Sequence, residues 1–248
     1  MAAAGAQAWR GSIVTIEIAA AVSKRARAAE RAAAGSPADA VVWEEVEART
    51  SESAVLSGSF LAFMVLAMMI AAVGIVTDSI ILIIGAMVVG PEFGPLAGLC
   101  VALVQRRPEL ARRSLTAVLV GFPSAILATT AATYLLKELG VLPETIGEHA
   151  ETLFISNPNR YSIVVAVLAG VAGMISLTTA KAGALIGVLI AVTTIPAAGN
   201  VAVAAVYGDW HECGGALLQL TVNLVSIVLA ALAAQRVLYT RHARALQR

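Results

Sequence analysis

Six apolar segments, at 57–77, 80–104, 113–136, 161–180, 182–207 and 215–238, each run for 20 residues or more. About 20 apolar residues are needed for one helix to cross a bilayer, and in lipid every backbone N–H and C=O must find its partner within the protein. A chain of 248 residues with six such stretches is therefore predicted to fold as an all-α integral membrane protein with six spans. Composition agrees. Hydrophobic residues make up 59% of the chain and charged residues 13%, whereas soluble domains are about 25% charged.

A net charge of +1 points to neither a nucleic-acid partner nor an acidic substrate. Its distribution says more. With a cytoplasmic N-terminus, Arg106, Arg107, Arg112, Arg113, Lys181, Arg236, Arg241, Arg244 and Arg248 lie at or near the inner side. The outer segments then hold Asp78, Glu138, Glu144, Glu148, Glu151, Asp209 and Glu212, with Lys137 and Arg160 as their bases. The excess of basic residues inside orients the chain with both termini cytoplasmic, in a bacterial inner membrane.

The chain divides into a short N-terminal segment (1–54), a six-span domain (55–238) and a basic cytoplasmic tail (239–248). In the first, residues 12–18 alternate like a short strand, with Val14, Ile16 and Ile18 on one face. Residues 19–34 read as a helix bearing Lys24, Arg25, Arg27 and Arg31, stopped by Gly35 and Pro37. A second helix begins near Asp39 and sets Val42, Trp43 and Val46 on one side. No apolar signal core precedes Ala54, so no cleaved signal peptide is expected.

Shifting the chain by 102 residues lays 57–136 over 161–238. Val65-Leu66-Ala67 then meets Val167-Leu168-Ala169, Ile84-Gly85 meets Ile186-Gly187, and Leu127-Ala128 meets Leu229-Ala230. Pro95-Leu96-Ala97-Gly98 and Pro196-Ala197-Ala198-Gly199 hold the same place in segments two and five. Three spans per copy is an odd number, so consecutive copies face opposite ways, as a 3+3 inverted repeat. Inverted repeats with helices interrupted at matching points are a pattern of secondary transporters.

The interruption in segment two is Gly90-Pro91-Glu92-Phe93-Gly94-Pro95. Each proline lacks the N–H that an α-helix needs, so the carbonyls of Met87 and Pro91 are expected to lose their usual donors. Glu92, the only acid of this segment, falls near the membrane midplane. It has three readings: a coupling group for a proton or cation, an acceptor for N–H groups of the restarted helix, or a carboxyl with a fixed proton. In segment five, Thr193, Thr194 and Asn200 bracket Pro196 and line a polar path, or bond back to their own helix. Asn223, in segment six, wants an interhelical partner.

These residues carry a resemblance. The run from Ile84-Gly85-Ala86-Met87 to Phe93-Gly94-Pro95 resembles the signature of a bacterial family of uncharacterised hydrophobic domains, labelled domain of unknown function 389. Ser176-Leu177, Lys181-Ala182-Gly183-Ala184-Leu185-Ile186-Gly187-Val188, Thr194-Ile195-Pro196, Gly208-Asp209-Trp210 and Asn223-Leu224 follow in order, and the resemblance spans roughly 40–238. It implies a multi-span membrane protein, often with a larger soluble N-terminal domain, here curtailed. Many relatives carry another residue where this chain has Glu92. The resemblance supplies no substrate.

The other candidates are helix-packing and surface residues. Gly90, Gly94 and Gly98, and again Gly183 and Gly187, recur every four residues and let helices approach closely, within one chain or across a homodimer. Arg106, Arg107, Arg112 and Arg113 are expected at lipid headgroups. Cys100 and Cys213 are expected as free thiols, Cys213 in an outer loop, and His149, His211 and His242 are too scattered for a zinc site. No cofactor or metal is implied, and no nucleophile–base grouping or paired carboxylate suggests an enzyme. The chain reads as a transporter or channel for a small solute or ion, with the path between helices two and five. The alternative is a membrane sensor or assembly scaffold that moves nothing.

Overall fold

The computed structural model describes residues 50–52, 54–145, 155, 159–178 and 193–245. The chain forms two compact units, Met1–Pro37 and Ala38–Arg248, and every described residue belongs to the second. The strand expected at 12–18, the helices near 19–34 and Asp39, and Lys181, Gly183 and Gly187 lie outside the described residues.

Among the described residues, after a short helical stretch at 50–52, seven helices follow one another: α1 Gly58–Val76, α2 Ile80–Val89, α3 Phe93–Gln105, α4 Pro108–Glu138, α5 Arg160–Thr178, α6 Thr194–Tyr207 and α7 Trp210–Ala245. No strand occurs among the described residues. Local chemistry sets most of the starts. Ser57 Oγ accepts the Phe60 N–H at 3.1 Å, Asn159 Oδ1 that of Ser162 at 2.9 Å, and Asp209 Oδ1 that of Glu212 at 2.9 Å. Each satisfies one of the donors that a helix leaves unpaired in its first turn. Pro108 opens α4, where a missing N–H costs nothing. Left-handed residues end α3 and α6, at Arg106 (φ 57°) and Gly208 (φ 76°). Only glycine visits that region freely, so Arg106 carries a strain of about 1 kcal/mol.

α1, α4, Arg160–Leu177 of α5 and Trp210–Leu238 of α7 are long and apolar enough to cross a membrane, and α2 with α3, bent by 47°, makes a fifth span if the pair counts as one. Large apolar side chains face outward on these helices, among them Ile81, Leu119, Leu127, Leu168 and Leu229. This is a multi-pass membrane protein, all-α throughout the described residues. α6 has 14 residues, too few to cross alone at 1.5 Å per residue. The other half of the predicted fifth segment, 182–192, lies outside the described residues.

Some boundaries differ from expectation. α7 begins at Trp210 and runs to Ala245, so Cys213 sits in a helix rather than an outer loop, and the helix extends into the predicted tail. The reason is the Asp209 cap, which starts the helix several residues ahead of its apolar stretch. α4 likewise starts at Pro108, which makes Arg112 and Arg113 helical.

Packing shows which helix ends meet. Ala54, ahead of α1, clusters with Val101 and Ala102 late in α3 and Leu110 early in α4. Cys100 of α3 clusters with Met174 late in α5 and with Ala231 and Leu238 late in α7. At the other end, Lys137, finishing α4, lies 4.3 Å over the ring of Tyr207, which finishes α6. The Tyr207 hydroxyl donates to the Pro143 carbonyl at 2.7 Å. α1 and α4 therefore start where α5 and α7 finish. The first end carries Arg106, Arg107, Arg112, Arg113 and Arg236, and the second Glu138, Glu144, Asp209 and Glu212.

The long helices touch through small residues. A β-carbon at Gly170 of α5 would lie 2.6 Å from the Ile227 carbonyl oxygen of α7, and one at Gly85 of α2 would meet nothing within 4 Å. Gly170→Ala is expected to destabilise the folded protein by about 1–3 kcal/mol, the usual cost of overpacking a rigid contact. Gly85→Ala should be neutral or slightly stabilising, because alanine is the better helix former. Denaturant titration of both variants in the same detergent checks the contrast.

Candidate functional site

The break between α2 and α3 is built from three residues. Gly90 leaves the helix with φ −64° and ψ 130°, extended as the residue before a proline prefers. Pro91 then offers no N–H to the Met87 carbonyl, and Glu92 turns the chain into α3. Pro95 does not add to the break as expected. It is the third residue of α3, inside the first turn, where an N–H has no helical partner anyway. Proline alone is also insufficient, because α4 continues through Pro123. What distinguishes Pro91 is the preceding glycine, whose backbone leaves the helix at low cost.

α6 begins in the same way. Thr193 precedes it, Pro196 is its third residue, and the Ala197 N–H reaches back to the Thr193 carbonyl at 3.3 Å. In α3 the Leu96 N–H reaches the Glu92 carbonyl at 3.4 Å. Both lead residues could cap their own helix through the side chain, yet neither does.

Those side chains are used across the bundle instead. Glu92 is 1% exposed, and its Oε1 accepts a hydrogen bond from Thr194 Oγ1 at 2.9 Å. Its Oε2 has no hydrogen-bond partner and lies against Gly90, where a β-carbon would collide with it and come within 2.6 Å of Ile195 Cγ1. Glu92 thus makes no side-chain cap on α3 and bonds instead to the first residue of α6. One residue earlier, Thr193 Oγ1 accepts from Asn223 Nδ2 at 2.7 Å, and Asn223 Oδ1 accepts a longer bond from Gln219 Nε2 at 3.4 Å. The starts of α3 and α6 and the middle of α7 therefore share one buried polar line, from Glu92 through Thr194 and Thr193 to Asn223 and Gln219.

One of the predicted path residues stands elsewhere. Asn200 Nδ2 donates to Glu212 Oε1 at 3.0 Å, tying α6 to the first turn of α7, and Asn200 Oδ1 has no partner. Pro91, Pro95 and Pro196 shape the backbone only. Gly90 and Gly98 pack within the chain, Gly98 so closely that a β-carbon would lie 2.8 Å from Ser114 Oγ. Gly94 is half-buried in the first turn of α3. Sequence reasoning passed over Gln219, which is 1% exposed with an unpartnered Oε1, and Gln235, which is fully buried with neither amide atom partnered. The signal was available, since Gln219 and Asn223 sit four apart on one face of an apolar helix.

Both cysteines are free thiols, Cys100 donating to the Val228 carbonyl at 3.5 Å and Cys213 to that of Val201 at 3.8 Å. Among the described residues no group of three or more histidines, cysteines or acids is placed to hold a metal ion. Arg106 and Arg107 occupy the α3–α4 turn, and Arg112 and Arg113 the first turns of α4, all four exposed.

No solved structure matches the chain. It is 24% identical over 192 residues to the uncharacterized protein MJ0678 of Methanocaldococcus jannaschii, an alignment covering 77% of this chain and 58% of that relative's length. The family model described as "Domain of unknown function (DUF389)" matches residues 87–229, from the last turns of α2 into α7. That segment contains both half-length helices and the whole polar line between them, and the chain belongs to the DUF389 family.

Proposed function

We propose that this protein moves a small solute or ion across the membrane, along a path between the broken second helix and α6. One observation carries the reading: Glu92 and Thr194, at the starts of two short helices, hydrogen-bond each other in the buried interior at 2.9 Å, with Glu92 Oε2 left unpartnered. An acid at membrane depth is expensive and usually faces a pathway or a coupling partner. Binding a proton or cation would remove that cost and loosen the contact between the two helices.

A 3+3 inverted repeat belongs to the same proposal. The helix starts at Gly58, Phe93 and Pro108 recur at Arg160, Thr194 and Trp210, after 102, 101 and 102 residues, and the left-handed ends at Arg106 and Gly208 are 102 residues apart. Across the two halves, α3 packs on α7 as α6 packs on α4, a correspondence that a two-fold axis in the membrane plane would produce, whereas the close packing of α1 on α6 has no equal between α5 and α3. The positions of the arginines support an orientation with the start of α1 and the end of α7 on the cytoplasmic side of an inner membrane. A homodimer, the simplest closed assembly, finds support in the open Gly85 among exposed Ile81, Ile84 and Val88 of α2. The reading assigns the chain no catalysis and no cofactor.

A membrane scaffold or sensor is favoured by one feature, the close seating of Gly90 and Ile195 against Glu92. Measurement separates the two. In liposomes carrying gradients of H⁺, Na⁺, K⁺, chloride or phosphate, the protein is expected to pass at least one ion above the protein-free leak. Glu92→Gln should then abolish the pH or cation dependence of that flux while leaving the melting temperature nearly unchanged. Thr194→Val should lower stability by about 0.6 kcal/mol, and at most about 1.7. No flux from the whole panel, or flux untouched by Glu92→Gln at a lowered melting temperature, would favour the scaffold.

Topology is tested separately. With Cys100 and Cys213 changed to alanine, Thr145→Cys is expected to react with an impermeant maleimide from outside the cell, and Glu109→Cys only after the cell is opened. Labelling of both from one side would end the inverted-repeat reading.

A further inference from the structure

Between the segment leading into α1 and the first turns of α4 lies an open cleft of about 500 Å³, lined by Val55, Leu56, Glu109, Arg112, Arg113 and Thr116. Its chemistry is divided. Val55 and Leu56 make an apolar wall at the end of a membrane-crossing helix, and the α4 side carries two guanidinium groups and one carboxylate. Glu109 stands three and four residues before Arg112 and Arg113, the spacing and order at which an acid and a base pair most readily on a helix. Here, among the described residues, none of the three is in an ion pair. The Thr116 hydroxyl is spent on the Arg112 carbonyl at 2.8 Å, which leaves the charged groups as the recognising elements.

We propose that this cleft binds the headgroup of a membrane phospholipid bearing both a phosphate and a primary ammonium, such as phosphatidylethanolamine. Arg112 and Arg113 take the phosphate, since guanidinium forks match phosphate oxygens. Glu109 takes the ammonium, and Val55 and Leu56 lie along the upper acyl chain. Two bases and one acid against one phosphate and one ammonium leave no like charges facing each other. A headgroup with phosphate alone leaves Glu109 opposing an anion. The apolar wall and the membrane-edge position favour a lipid over free phosphate as the source.

The test is native mass spectrometry of the purified protein with equimolar phosphatidylethanolamine and phosphatidylglycerol. The wild type is expected to retain phosphatidylethanolamine preferentially. Arg112→Gln with Arg113→Gln should lower that retention about thirtyfold, the effect of roughly 1 kcal/mol for each of the two surface arginines. Glu109→Gln should reverse the preference towards phosphatidylglycerol while total lipid retention persists. Melting temperatures within error of wild type show that the variants remain folded. Should a variant unfold, Arg112→Lys with Arg113→Lys keeps the charge and loses the fork, and is expected to lower retention in the same direction by a smaller factor. Unchanged retention in the arginine variants overturns the proposal, as does preference for phosphatidylglycerol by the wild type. Displacement of the bound lipid by millimolar inorganic phosphate would assign the cleft to a soluble anion and overturn it also.

Discussion

The hydrogen bond from Thr194 to Glu92 joins the starts of two short helices, α3 and α6, in the buried centre of the bundle. A helix that stops inside an apolar bundle exposes polar groups that lipid cannot satisfy. Here the side chain leading α3 is answered by the first residue of α6, and the side chain leading α6 by Asn223 of α7. Each spends a potential capping side chain on a neighbour.

Small residues make these contacts possible. Gly90 leaves room for the Glu92 carboxylate, and Gly199 brings α6 onto α1, with a β-carbon at Gly199 falling 3.0 Å from Ala71 Cβ and 3.2 Å from the Met68 carbonyl. Without a hydrophobic driving force between helices in lipid, such close contacts and a few buried hydrogen bonds are what hold a bundle together. The outward faces, rich in isoleucine, leucine and valine, contribute insertion rather than specificity.

The two ends of the bundle differ in chemistry. Where α1 and α4 start, arginines dominate and an open cleft lies beside them; where α4 and α6 end, glutamates and aspartates dominate, and Asn200 draws Glu212 onto the bundle. The arginines at one end and the polar line between α3, α6 and α7 are separate sets of residues.

Much of this was legible in the linear chain. Long apolar stretches dictated crossing helices, because a bilayer leaves the backbone no alternative. Pro95 and Pro196 stood at corresponding places in two apolar stretches, and Glu92 stood out as an acid among apolar neighbours. Other features belong to the tertiary structure alone. Pro95 looked like part of the break and proved to lie in a first turn, because Gly90 and Pro91 had already ended α2. Pro123 would have been as good a signal, yet α4 runs through it. Pattern located the polar residues, but their pairing is a distance across the bundle. Glu92 meeting Thr194 rather than its own helix, Asn200 turning to Glu212, and Gln219 joining the line all follow from how the helices cross, and crossing is decided by which side chains fit against which.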